Sequence, residues 1–271
     1  MATITTSTSN QEHTVVAPEA WIASRQELLR KEKEFTKLRD ELSRQRRELP
    51  WEKVGKNYVF DGPNGKVTMA DLFDGRSQLI VYHFMFGPGW EEGCPSCSFL
   101  ADHFDGSLVH LANRDVTLAV VSRGPIAQIE AFKKRMGWHF KWMSSFGNDF
   151  NRDYQVSFTK DEMAEGKVHY NYSATESPSE EAPGASVFFK NGAGDIFHTY
   201  SAYARGLDIL VGAYNFLDLA PKGRDEEGLA FSMAWVRHHD RYAEGYFVDS
   251  KAQYTPPKGS GSSCCSREGH S

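Results

Sequence analysis

An apolar run, Leu79-Ile-Val-Tyr-His-Phe-Met-Phe86, leads into Gly93-Cys94-Pro95-Ser96-Cys97, and an amphipathic segment follows from Ser98 to about Asn113. Continuous apolar character marks a strand covered on both faces, and the segment after it has helical periodicity. Strand, short loop, two cysteines spaced C-x-x-C and then helix is an order with a chemical reason. The first turn of a helix presents unpaired N–H groups and partial positive charge. A thiol held there ionises more readily, and the thiolate is the species that attacks disulfides. A second thiol one turn on reaches back to resolve the mixed disulfide. Pro95 suits a first helical position, where its missing N–H costs nothing. By position Cys94 is the exposed nucleophile and Cys97 the resolver.

This constellation resembles the thioredoxin superfamily. The words Val81-Tyr-His-Phe-Met-Phe86, Trp90-Glu-Glu-Gly-Cys-Pro-Ser-Cys97, Lys134-Arg-Met-Gly-Trp138, Tyr203-Ala-Arg-Gly-Leu-Asp208 and Met233-Ala-Trp-Val-Arg-His-His-Asp240 are similar to the DUF899 family. The likeness runs from about Trp21 to Tyr242. Its members are described, by inference, as dithiol–disulfide oxidoreductases. The resemblance implies a thioredoxin-like α/β fold, a central mixed sheet flanked by helices, and thiol–disulfide exchange on protein or small-molecule substrates. Thioredoxins also place a cis-proline before the late strand, facing the cysteines. Here Gly184 occupies that place and Pro183 lies one residue earlier, so Pro183 is the candidate substrate clamp.

A formal charge of −5 offers no basic face for nucleic acid. No run approaches the roughly 18 apolar residues of a membrane span. The Ser/Thr-rich start, Met1 to about Ala17, lacks the basic and apolar regions of a secretory signal. Four cysteines in two close pairs are unlike a secreted disulfide framework, so a cytoplasmic, reducing setting is expected.

Residues 1–18 read as a disordered tail and 19–50 as a long charged helix. Trp21, Leu28, Phe35, Leu42 and Leu49 fall every seven positions, with Leu38 offset. That narrow stripe suits a helix laid across a globular body or, alternatively, a homodimer contact. Residues 51–220 form the thioredoxin-like domain. It opens with a hairpin, Tyr58–Phe60 and Lys66–Thr68, in the manner of peroxiredoxin-like members. It continues with strands at 79–86 and 116–121, a helix at 126–136, and an insertion near 144–183. A hairpin at 186–200 and a closing helix at 207–219 complete it. Residues 221–252 are an extension packed on the domain, ending its readable part in Trp235–Tyr242. Residues 253–271, with Cys264 and Cys265, are a Pro/Gly/Ser-rich disordered tail.

Phe86, Pro88 and Trp90 are expected to wall the site with apolar surface. Glu91 and Glu92 would raise the Cys94 pKa if they faced the sulfur. Arg123, after the second strand, would lower it. His83 shares a face with Val81 and Met85 by alternation, and reads as a core histidine or as a base beside the dithiol. Glu91 stands where peroxiredoxins carry a threonine, and Pro88 is one position short, which argues against a peroxiredoxin mechanism. No cofactor is expected. The alternative is a transition metal ion held by Cys94 and Cys97 with His83, His238 or His239. A second alternative is a non-enzymatic protein interacting through the 19–50 helix.

Overall fold

The protein is represented by a computed structural model, which describes residues 5–8 and 11–242. Cys264 and Cys265 lie outside these residues. Residues 1–50 and the chain from Trp51 make two compact units. In the first, β1 (Thr5–Thr8) and β2 (Gln11–Thr14) pair as an antiparallel hairpin, where the sequence suggested only a disordered tail. Helix α1 (Pro18–Glu48) follows, with proline in its first turn. It stops at Leu49, which Pro50 holds in an extended conformation. Arg44 pairs with Glu41 along it at 2.6 Å, and Trp21, Leu28, Phe35, Leu38 and Leu42 are exposed.

The second unit starts with β3 (Glu52–Lys53), β4 (Val59–Gly62) and β5 (Gly65–Thr68). A reciprocal Thr68–Asp71 cap begins α2 (Met69–Leu72). Then come β6 (Gln78–His83), α3 (Pro95–Ala101), α4 (Asp105–Asn113), β7 (Val116–Ser122), α5 (Ile126–Arg135) and β8 (Lys141–Ser144). Inside the 144–183 segment lie α6 (Phe150–Asp153), α7 (Lys160–Ala164) and a small hairpin, β9 (Val168–Tyr170) with β10 (Ser173–Thr175). The late hairpin is β11 (Gly184–Lys190) and β12 (Ile196–Tyr203). A 3-10 turn, Ala204–Leu210, and α8 (Gly212–Leu217) replace the single closing helix expected at 207–219.

One eight-stranded sheet runs in the order β3-β12-β11-β6-β7-β8-β4-β5. Strands β6, β7 and β8 are parallel, while β11 is antiparallel to both β6 and β12. A parallel pair joined through a helix, with an antiparallel hairpin on the other side of the first strand, is the thioredoxin-like arrangement. No helix among the described residues is long and apolar enough to cross a membrane.

Side-chain alternation along the central strands divides the core in two. Tyr82, Phe84, Val120, Trp142 and Ala185 face one side, with both cysteines and the helices α3 and α5. Leu79, Val81, Ala119, Val121 and Phe188 face the other. Two boundaries differ from expectation. The central strand ends at His83 rather than Phe86, although the Phe84 N–H still donates to Val121 O. The helix expected over 98–113 breaks at Asp102–Phe104, between α3 and α4.

Candidate active site

Cys94 caps the N-terminus of α3, Pro95 opens the helix, and Cys97 stands one turn along. Both are free thiols. The Cys94 sulfur lies beside the Cys97 thiol and the backbone N–H groups of Ser96 and Cys97, without closing a cap hydrogen bond. The neighbouring Cys97 thiol and burial push Cys94 well above an ordinary thiol, while the two N–H groups pull it down. Cys94 is 4% exposed and Cys97 2%. The expectation of an exposed nucleophile is therefore corrected: the loop before α3 folds its sulfur inward.

The cause lies in that loop. The Cys94 N–H donates to Met85 O at 3.0 Å. Gly93 is wedged between rings, and a Cβ there would lie 2.5 Å from Phe84 and 2.8 Å from Phe132. Glu92 turns away from the sulfur to Arg135 (2.7 Å) and Arg241 (2.8 Å). Burial pushes Glu92 up, but Arg135, His238 and Arg241 outweigh it and hold the carboxyl below its usual range. Glu91 is exposed.

Of the expected wall, Trp90 is buried and Pro88 exposed on the loop. Phe86 is instead a fully buried core residue against Phe132 and Trp142. Pro183 is half-buried before β11, and its carbonyl accepts from the Tyr170 hydroxyl at 2.7 Å. All described peptide bonds are trans, Pro183 included, so the cis-proline is not reproduced. Arg123 does not serve the thiols; it pairs with Glu181 at 2.8 Å.

His83 lies on the opposite face of the sheet from the cysteines. It packs on Phe150 and Tyr154 and bonds Ser186 Oγ at 2.8 Å, and burial lowers its pKa to about 3. The alternation with Val81 was right and that with Met85 was not, because the strand ends between them. Tyr82 takes the place beside the dithiol: its hydroxyl hydrogen-bonds the Cys97 sulfur. Burial, and after it that sulfur, push the phenol well above its usual range.

The structure does not bring the residues of the metal alternative together. Beside His83 on the wrong face, His238 is turned to Gly93 O at 2.9 Å and His239 to Asp102 at 2.7 Å. Among the described residues no three His, Cys, Asp or Glu side chains converge as a metal site.

Glu181 is a residue that the sequence reading missed. It is 3% exposed, accepts from Ser157 Oγ at 2.8 Å, and sits with Trp90 around Gly87. Burial raises its pKa to about 7 against the pull of Arg123 and Ser157. Nothing local marks it, since it stands in a polar stretch of the 144–183 insertion. The signal is Gly87, whose missing Cβ leaves the Glu181 carboxylate and the Trp90 indole their room.

Solved structures similar to the chain include the peroxidoxin BcpB of Mycobacterium tuberculosis. It is 10% identical with a TM-score of 0.41, covering 60% of this chain and 94% of that one. A Xanthomonas campestris peroxiredoxin Q gives 12% and 0.41, covering 61% and 95%. A protein assigned as the thiol:disulfide interchange protein DsbE of Chlorobium tepidum gives 10% and 0.37, covering 60% and 99%. Likenesses at this level carry no argument about activity. No curated protein matches the chain. The family described as "Bacterial protein of unknown function (DUF899)" matches residues 10–242, which hold every element of the thioredoxin-like unit, so the chain belongs to the DUF899 family.

Proposed function

We propose that this chain is a thiol–disulfide oxidoreductase working through Cys94 and Cys97. The observation that carries the reading is Cys94 at the opening of a helix, with the second free thiol one turn along in the same helix. Cys94 thiolate attacks one sulfur of a disulfide, forming a mixed disulfide and expelling the other sulfur as thiolate. Cys97, losing its proton to the released thiolate, then attacks Cys94 Sγ. The second half of the substrate leaves, and the 94–97 disulfide remains. The protein loses two hydrogens and the substrate gains them.

Burial of the sulfurs selects among substrates. At 4% exposure Cys94 meets a small disulfide more readily than a folded protein's disulfide. Cys94 also holds its proton more tightly than a free thiol does, so its thiolate is not stabilised as in a strong oxidant. The direction of flux in this reading is reduction of the substrate. Two free thiols in the fold suit a reducing, cytoplasmic setting.

Equilibration of the purified protein in a graded redox buffer, with mass spectrometry of the 94–97 peptide, tests the proposal. A two-hydrogen loss that titrates with the buffer is expected. Cys97→Ser is expected to accumulate the mixed disulfide on Cys94, and Cys94→Ser to form none. A dithiol that stays reduced throughout would end the reading.

A further inference from the structure

The peptide unit joining Gly93 to Cys94 is gripped from both ends. Its N–H donates to Met85 O at 3.0 Å. Its carbonyl accepts from His238 Nε2 at 2.9 Å, across 145 residues of chain. A peptide plane held at both polar groups cannot swivel, so the Cα–Cβ bond of Cys94 is aimed in one direction. That direction sets Cys94 at the opening of α3, its thiol buried.

The protonation of His238 follows from its partners. A carbonyl only accepts, so Nε2 carries the hydrogen. Nδ1 lies 3.3 Å from Arg135 Nη2, a guanidinium nitrogen that only donates, so Nδ1 is bare. Both contacts are met together by the neutral Nε2–H tautomer alone. Glu92 stands 3.8 Å from the same Nδ1, and Arg135 in turn holds Asp240 at 2.8 Å. Arg241 closes the cluster onto Glu92. The ring itself is 2% exposed and meets Phe132 edge to face at 5.3 Å. Further contacts from this segment fall along α3: His239 on Asp102, and Trp235 on Phe99 at 5.4 Å.

We infer that His238 is a positioning residue for the dithiol: by holding the Gly93 carbonyl it fixes Cys94 at the opening of α3. This rests on the reading of Cys94 as the nucleophile, and it gives Trp235–Tyr242 a part in the chemistry. Without His238 the Gly93 carbonyl is a buried acceptor with no donor, and the peptide turns to find one. The sulfur then loses the N–H groups that favour its thiolate.

The test is the rate at which iodoacetamide alkylates Cys94 in full-length Cys97→Ser protein, followed across neutral to alkaline pH, with thermal unfolding alongside. His238→Leu removes the donor. It is expected to slow alkylation about tenfold at neutral pH and to move the profile's midpoint upward. His238→Gln keeps a donor for Gly93 O and an acceptor for Arg135, and is expected to stay within about threefold of the parent. A His238→Leu profile that superimposes on the parent's, in a protein that still unfolds cooperatively, overturns the inference. If His238→Leu does not fold, His238→Gln decides: parent-like rates support positioning, and a tenfold loss overturns it. Failure of the wild-type chain to form its 94–97 disulfide would remove the exchange reaction and leave this profile standing.

Discussion

Gly93 shows how much chemistry a missing side chain can control. Its neighbours Phe84 and Phe132 are buried rings that cannot withdraw from a Cβ. Gly93→Ala is expected to cost about 1–3 kcal/mol of stability, as overpacking of a filled core does, read by urea unfolding. Glu181 makes a second prediction at this scale. Its carboxyl titrates near 7 in the fold against an ordinary value of 4.5, so the folded state binds the extra proton between those limits. Stability therefore falls as pH rises from about 4.5 through about 7, by an order-of-magnitude 3 kcal/mol from this group. Glu181→Gln is expected to flatten that fall. An unchanged slope in unfolding free energy measured on both sides of neutrality would assign the proton elsewhere. Cys94, raised in the fold, is expected to react faster as pH climbs through the alkaline range, because only its thiolate attacks.

At the scale of elements, the site depends on a segment that is barely structured. Trp235–Tyr242 holds one 3-10 turn, His239–Arg241. Its hold comes from side chains: Asp240 on Arg135, Arg241 on Glu92, and His238 on Gly93. Arg135→Ala strips a partner from Asp240, Glu92 and His238 together. It is expected to raise amide exchange across Trp235–Tyr242 while β6, β7 and β11 stay protected. Acid should act the same way. Arg135 holds Asp240 down to about 2, so the stability this pair contributes is present above the unfolded value and lost as pH falls toward 2. Asp240 is about one-third exposed, and solvent screening keeps its share small. The insertion near 144–183 behaves oppositely. It reads in the sequence as an irregular insertion, and in the fold Phe150, Tyr154 and Val156 are buried and it delivers Glu181 beside Trp90.

At the scale of the whole molecule, the unit from Trp51 holds the sheet, both cores and the dithiol. Deletion of residues 1–50 is expected to leave cooperative unfolding and the 94–97 redox titration unchanged. The same deletion tests a homodimer through α1, which the seven-residue spacing of Trp21, Leu28, Phe35 and Leu42 suggests. That reading expects the full chain to sediment as a dimer and the truncated one as a monomer. Equal behaviour of the two in sedimentation would remove it.

Sequence alone determined the strand–CPSC–helix order, the late hairpin and the place of Cys94 at a helix start, because these rest on local periodicity and on proline and glycine chemistry. It set His83 on the face of Val81 but could not show that the strand ends at His83, which sends Met85 to the other side. Nor could it show that Glu181, Tyr82 and His238 meet the loop around the cysteines. Those contacts join residues that are not neighbours in the chain, and their partners are chosen by packing, burial and charge that exist only once the chain has closed on itself.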